Sequence, residues 1–385
     1  MKSKANAKDI IGTSGCQSIL EALAPKYASI STVCIGGINK TNLQRVLYQS
    51  ATENKKLDGV ALVSAIISAK DAEETSRELV HLVRTPPPFV VSSRDAQESG
   101  SLQKIIDGVN SVLSDVNSKK PLSHNMTNLV VQNFAANVAL AIGASPIMAN
   151  SGVEAADLSK LGGALVINMG TVTEDGLKNY LLATGSYNEV GAPIVFDPVG
   201  AAATALRRKG VRVLMAGAYF DVIKGNEGEI RQVAGQAGVQ QRGVDSGESN
   251  LDDETRAKLV AELAKRERNI VVMTGPTDFV SDGKSTFAIR NGHDYLERVT
   301  GTGCVLGTII SAALAAHRED KLLATIAGML HFEIAAEFAA VRDDVKGPGT
   351  FMSALIDELD HIRKMGVAGD ISWLEKAKVT EYKNL

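Results

Sequence analysis

Short apolar runs, each closed by a polar residue or a glycine, alternate along this chain with stretches of helical spacing. Over residues 12–84 the pattern predicts helix, strand, helix, strand, helix. The strands fall at 30–35, running into Gly36-Gly37-Ile38, and at 59–63, ending at Ser64, with helices at 41–50 and 72–83. Strands joined through a helix pair in parallel, and a parallel sheet is covered on both faces, so this block needs further strands around it. A barrel of eight such units takes about 250 residues, far more than two clear strands supply. Thr85-Pro86-Pro87-Pro88 is stiff and the stretch after it is polar, so 85–100 reads as a linker between a first block at 1–84 and a second at 101–385.

In the second block a helical pattern at 102–116 precedes a polar loop, Pro121-Leu122-Ser123-His124-Asn125-Met126-Thr127-Asn128, and an amphipathic helix at 129–142. A short extended piece follows at 144–148. Apolar strands at 164–168, 193–196, 214–223 and 270–275 alternate with helices such as 174–187, the spacing of a central parallel sheet with helices on both faces. Residues 279–287 alternate around Asp282-Gly283, a hairpin signal. The polar segment 236–253, which contains Arg242-Gly243-Val244-Asp245-Ser246, reads as a surface or lid loop. Covering helices at 322–340 and 351–362 end the block, and no apolar stretch is expected to reach membrane-spanning length.

Composition narrows the class. A chain of 385 residues with 44% apolar content can fill two globular cores, and a net charge of −3 from 41 basic and 44 acidic residues leaves no basic footprint for nucleic acid. Cys16, Cys34 and Cys304 lie far apart without metal-ligand spacing, which points to a reducing, cytoplasmic setting. The N-terminus has charge but no apolar core of signal-peptide length.

Candidate chemistry collects where strands end, because ligands of open α/β sheets sit beyond the carboxyl ends of the strands. That rule selects Asp197 in Phe196-Asp197-Pro198-Val199-Gly200 and the group Lys224-Gly225-Asn226-Glu227-Gly228-Glu229. Asn226 and Glu229 are three apart at a helix start, so they can jointly hold a hydrated magnesium, while Lys224 can reach a nucleotide phosphate. Glu227 and Glu229 can equally complement the helix dipole, an effect of roughly 0.3–1 kcal/mol each. Gly301-Thr302-Gly303 leads into an apolar helix and forms a candidate anion cradle, with Cys304 in the first turn. The alternative is a glycine-rich helix start packed on a strand. His124 is a candidate base or a loop histidine shaping a pocket, Asn125 and Asn128 either cap and turn or bind ligand, and Met148 lines a pocket or fills core.

Two resemblances give these positions roles. Cys34-Ile35-Gly36-Gly37-Ile38-Asn39 and Gly59-Val60-Ala61-Leu62-Val63-Ser64 resemble the last third of thiamine-phosphate synthase, a TIM barrel, and imply a thiazole-phosphate site at Gly37, Val63 and Ser64. The earlier barrel strands, with their magnesium carboxylates, have no counterpart, so no synthase activity is expected of this chain alone. Residues 101–364 resemble hydroxyethylthiazole kinase through the Pro121–Asn128 segment, Gly143-Ala144-Ser145-Pro146-Ile147-Met148, Asp197-Pro198-Val199-Gly200, Gly225-Asn226-Glu227-Gly228-Glu229 and Gly301-Thr302-Gly303-Cys304.

The kinase resemblance implies an α/β fold, a ribokinase-like sandwich with a central mostly parallel sheet, here preceded by a partial TIM-barrel βα segment. It implies transfer of the ATP γ-phosphoryl group to the primary alcohol of 4-methyl-5-(2-hydroxyethyl)thiazole. Met148 and Gly301 would contact the thiazole; Lys224, Thr274 and Asn226 would contact ATP; Asp197 and Glu229, with Glu227, would organise Mg2+. Gly301 and Gly303 would present N–H groups to the transferred phosphate. Cys304 stands where ribokinase-like enzymes usually carry an aspartate base, and a helix N-terminus is expected to lower a thiol's pKa. A weak base suffices, because phosphoryl transfer depends mainly on positioning and charge neutralisation. By resemblance the protein is also a homo-oligomer, trimer-based. The competing readings are a kinase of another small alcohol, such as hydroxymethylpyrimidine or pyridoxal, and a non-catalytic assembly module.

Overall fold

The computed structural model describes residues 11–90, 101–236, 251–383 and 385. Its contacts divide the chain into two units, one of Met1–Val90 with Met215–Tyr219 and one of Val91–Leu214 with Phe220–Leu385.

In the first unit the helix Gly12–Tyr27, strand β1 (Val33–Ile35), helix Leu43–Gln49, strand β2 (Gly59–Ala61) and helices Ser64–Ile67 and Ala72–Arg84 follow the predicted order. β1 and β2 pair in parallel, Val33 opposite Gly59 and Ile35 opposite Ala61. A small core of Ile38, Leu43 and Leu79 holds the block, while Val33 and Ile35 stay exposed on the strand. Asp71 caps the last helix by accepting the Glu74 N–H at 2.9 Å. Cys16 and Cys34, far apart in sequence, come together with sulfurs 3.9 Å apart. Burial, and then the neighbouring Cys16, push the Cys34 thiol up to about 11.

The second unit carries a nine-stranded sheet among the described residues, built from β3 (Leu122–Met126), β4 (Ser145–Ile147), β5 (Gly163–Asn168), β6 (Ile194–Asp197), β7 (Val222–Asn226), β8 (Ile270–Thr274), β9 (Asp278–Ser281), β10 (Thr286–Ile289) and β11 (Val379–Tyr382). The spatial order is β11-β10-β9-β8-β7-β6-β5-β3-β4. β3 through β8 run parallel, and β9, β10 and β11 complete the sheet antiparallel. Every residue of β5 and β6 is buried, as expected of central strands with helices on both faces. The hairpin predicted at Asp282-Gly283 is present, with Gly283 at φ +83°.

Three expectations need correction. The polar segment after Pro121 is a buried strand, because each polar side chain on it finds a partner: Ser123 bonds Ser311 at 2.8 Å, Asn125 accepts from Thr308 at 2.8 Å, and His124 bonds Tyr187 at 3.1 Å. The apolar run at 214–223 is divided, since Leu214 belongs to the helix Ala205–Gly217 and the strand begins only at Val222, after Asp221. Asp221 Oδ2 fixes that boundary by accepting the Ile194 N–H at 2.8 Å. Lastly, the helix Lys321–Ala340 is long and apolar enough to cross a membrane by length and composition, with 89% of its apolar window buried inside the protein. Within the segment 236–253, residues 237–250, including Arg242 to Ser246, lie outside the described residues.

Burial of that helix carries a measurable charge effect. His331 is buried, with Nε2 placed 2.8 Å from the Leu359 carbonyl oxygen, an arrangement that suits the neutral ring donating its proton. Burial lowers its pKa from 6.5 to about 4. A base depressed on folding binds its proton better in the unfolded chain, so this contribution is present above about pH 6.5 and lost as the pH falls through about 4. The loss should approach 3 kcal/mol. Urea unfolding of the wild type and of His331→Gln across that range checks it: the variant should lack this part of the acid destabilisation.

Candidate active site

Four neighbouring strands deliver polar side chains to one end of the sheet. Asn168 ends β5 and Asp197 ends β6, directly opposite each other in register. Lys224 and Asn226 lie in the last residues of β7, and Asn226 stands opposite Thr274 at the end of β8. The bonds among them form one chain. Asn128 Nδ2 donates to Asn168 Oδ1 at 3.0 Å, Asn168 Nδ2 donates to Asp197 Oδ2 at 2.9 Å, and Lys224 Nζ donates to the same oxygen at 3.4 Å. Asp197 Oδ1 is buried without a hydrogen-bond partner among the described residues. An orphaned carboxylate oxygen in so polar a setting is the feature expected of a cation ligand.

The electrostatics agree with that reading. Burial pushes the Asp197 carboxyl above its usual range, against the pull of Lys224 and Asn168. Burial alone would lower the Lys224 ammonium, yet Asp197, Cys304 and Glu229 together raise it. Burial and then Asp197 lift Glu229 to about 7. Acidic charge therefore exceeds basic charge here, and a divalent cation would relieve the imbalance.

Asn226 and Glu229 use their three-residue spacing for a capping box. Glu229 N–H donates to Asn226 Oδ1 at 3.0 Å, and Glu229 Oε2 accepts the Asn226 N–H at 2.8 Å. Glu229 Oε1 accepts the Gly200 N–H at 2.7 Å, so this carboxylate ties the loop after β6 to the helix after β7. Glu227, expected at the magnesium, pairs with Arg256 at 3.0 Å and Arg231 at 3.5 Å.

Gly301 caps the helix Thr302–Ala316 at φ +93°, and no side chain caps that terminus. A Cβ on Gly301 would meet Val131 Cγ1 at 2.4 Å, so glycine is required both by the backbone and by the close approach. Thr302 Oγ1 donates to the carbonyls of Leu296 at 2.6 Å and Val299 at 3.1 Å, fixing the chain's entry to the helix. Gly303 follows, with open space where a Cβ would lie. Cys304 Sγ accepts from Asn128 Nδ2 at 3.5 Å. Burial and then the Asp197 charge push the thiol up to about 11, opposite in direction to the lowering expected of a helix terminus.

The remaining expected residues are placed as follows. Met148 follows the edge strand β4 and packs half-buried against the core. His124 sits on β3, with Nε2 at 2.9 Å from the Ala149 carbonyl, so it braces the Met148 segment; burial lowers its pKa. In the first unit Gly37, at φ +66°, follows β1, and Val63 and Ser64 follow β2, at the same end of the parallel pair. Asn168 was not anticipated. It obeys the strand-end rule that selected Asp197, and its neutral amide carries a weaker signal.

Known proteins complete the description. The hydroxyethylthiazole kinase family matches residues 113–365. Along 389 aligned residues the chain is 39% identical to a probable thiamine biosynthetic bifunctional enzyme of Schizosaccharomyces pombe, covering 98% of this chain and 73% of that protein. It is 42% identical over 252 residues to hydroxyethylthiazole kinase of Pyrococcus furiosus, covering 65% of this chain and 92% of the relative. The solved structure of a hydroxyethylthiazole kinase from Pyrococcus horikoshii OT3 superposes with a TM-score of 0.63 at 38% identity, over 72% of this chain and 100% of that one.

Proposed function

Since the chain belongs to the hydroxyethylthiazole kinase family, we propose that the strand-end cluster is the place where it phosphorylates its thiazole alcohol. The protein is a kinase of thiamine biosynthesis that uses ATP. The observation that carries the placement is Asp197 Oδ1, a buried carboxylate oxygen unpartnered among the described residues, beside Lys224 and close to Cys304.

The donor set fits Mg2+, which commonly keeps several waters and takes one or two carboxylates together with substrate phosphates. Asp197 supplies the open oxygen. Glu229 adds negative charge, and the backbone N–H groups on both its oxygens suit it to a water-mediated role. Glu227 is proposed beside them, with its charge matched by two arginines. Bound Mg2+ would supply neutralisation of the ATP phosphates. Lys224 holds charge against the nucleotide phosphates, Thr274 and Asn226 flank them from β8 and β7, and Gly301 and Gly303 offer backbone N–H groups to the transferred group. The alcohol lies against Met148 and Gly301.

Cys304 stays a thiol at neutral pH and orients the alcohol through its sulfur. Cys304→Ala is expected to lower kcat by about tenfold, less than the loss of a general base causes. A fall beyond a thousandfold in steady-state kinetics would overturn this modest role.

We also propose a cytoplasmic homo-oligomer, trimer-based. Exposed Leu129 and Val130 after β3, with exposed Val153, Leu161 and Leu182, support an apolar contact between copies. Gly37, Val63 and Ser64 are proposed as a partial thiazole-phosphate site. Incubating the protein with Mg-ATP and the thiazole alcohol, then adding the pyrimidine diphosphate, tests these readings. Thiazole phosphate should accumulate and thiamine phosphate should not form. ATP consumption indifferent to the thiazole alcohol, or a preference for hydroxymethylpyrimidine or pyridoxal, would sink the placement.

A further inference from the structure

Two buried carboxyl groups stand apart from the Asp197 cluster. Asp278 opens β9, and Glu333 lies in the middle of the helix Lys321–Ala340; both are buried. Asp278 Oδ1 accepts the Gly275 N–H at 2.7 Å, which closes the turn leaving β8 immediately after Thr274. The two carboxyls lie within hydrogen-bond reach of each other. Among the described residues no N–H or O–H donor reaches either oxygen of Glu333. One turn along the same helix Glu337 is engaged instead, accepting from Asn291 Nδ2 at 3.0 Å, Gly292 N at 3.2 Å and Lys378 Nζ at 2.8 Å.

Two carboxylates in contact in a buried site cannot both carry charge, and one proton between them converts repulsion into a charge-assisted hydrogen bond. Burial, and then Asp278, push Glu333 well above the carboxylate range, with Glu337 adding to the effect. Burial lifts Asp278 only to about 6, because the Gly275 N–H, Glu333 and the Lys224 ammonium favour its anion. Asp278 already accepts the Gly275 N–H, whereas no donor among the described residues reaches Glu333, so this geometry places the anion on Asp278 and the proton on Glu333.

We propose that Glu333 and Asp278 share one proton and act as positioning residues for the nucleotide: neutral Glu333 donates to the Asp278 carboxylate, which grips the Gly275 N–H and sets the turn beside Thr274. This rests on the reading that ATP lies at the ends of β7 and β8. The alcohol side of the site is built on β3 and β4, separated from β8 by β5, β6 and β7, so a slack turn disturbs ATP contacts selectively.

Steady-state kinetics on the full chain read this selectivity. In Glu333→Ala the KM for ATP should rise about tenfold, while kcat and the KM for the thiazole alcohol change by less than about threefold. Glu333→Gln can make the same donation through its amide and should restore the wild-type KM for ATP. Infrared difference spectra in neutral buffer should show a protonated carboxyl carbonyl band that Glu333→Gln removes. The proposal is overturned if Glu333→Gln is as impaired as Glu333→Ala, if Glu333→Ala leaves the KM for ATP unmoved, or if that band is missing. Should Glu333→Ala not fold, the amide variant and the infrared band still decide. Thr274→Ala separates the two levels: an unmoved KM for ATP there would remove the nucleotide placement itself, whatever the infrared result.

Discussion

Asp197→Asn should phosphorylate the thiazole alcohol about a thousandfold more slowly, with kcat bearing most of the loss, because it removes the negative charge around which the cluster is assembled. The same change leaves the buried Lys224 ammonium without its ion partner at 3.4 Å, and stranding a buried charge costs about 3 kcal/mol of stability. These two effects can be separated. Adding Lys224→Met to Asp197→Asn should recover most of the stability in urea unfolding while activity stays lost, since both members of the pair are then neutral. Recovery of activity together with stability would show that Asp197 serves folding only, and the proposed cation site would fall.

Asn168→Asp is the second severe change. The amide orientation of Asn168 is dictated by its surroundings: Oδ1 accepts the Gly170 N–H at 2.9 Å and Asn128 Nδ2 at 3.0 Å, so Nδ2 must face Asp197. The backbone is held as well, with Tyr180 donating to the Asn168 carbonyl at 3.1 Å and Arg207 donating to the Met169 and Gly170 carbonyls, both at 2.6 Å. The substitution exchanges a donor for an acceptor where only 2.9 Å separates it from Asp197 Oδ2. Two buried carboxylates cannot share that distance while both are charged. We expect kcat/KM at neutral pH to fall about a hundredfold and stability by about 2–4 kcal/mol. The penalty should shrink as the pH is lowered, because the introduced carboxyl once protonated donates again. A pH–rate profile parallel to the wild type would contradict the assigned role of this amide.

Residues whose type alone is informative were legible in the sequence. Gly301-Thr302-Gly303 announces the start of an apolar helix, Asp197 stands out at the end of an apolar run, and Asp282-Gly283 marks its hairpin. Less legible were features whose meaning depends on a distant partner. β3 looked like a loop because Ser123 and Asn125 find Ser311 and Thr308 only after the chain has folded. Asn226 and Glu229 have the spacing of a metal pair, which is also the spacing of a capping box, and their side chains form that box. For Cys304 the sequence offers a helix start that lowers a thiol's pKa, but not the burial and the Asp197 charge that raise it.

Among the described residues β4 is paired on one side only, to β3, whereas Asp197 and Lys224 hang from interior strands locked on both flanks. In the proposed site the groups that choose the alcohol therefore rest on the part of the sheet with fewest obligations, and the groups that handle charge rest on the part with most. Exchanges at Pro146 or Met148 can reshape what the enzyme accepts while its electrostatic machinery stays in register, so new substrate preferences are open to selection or design without rebuilding the catalyst.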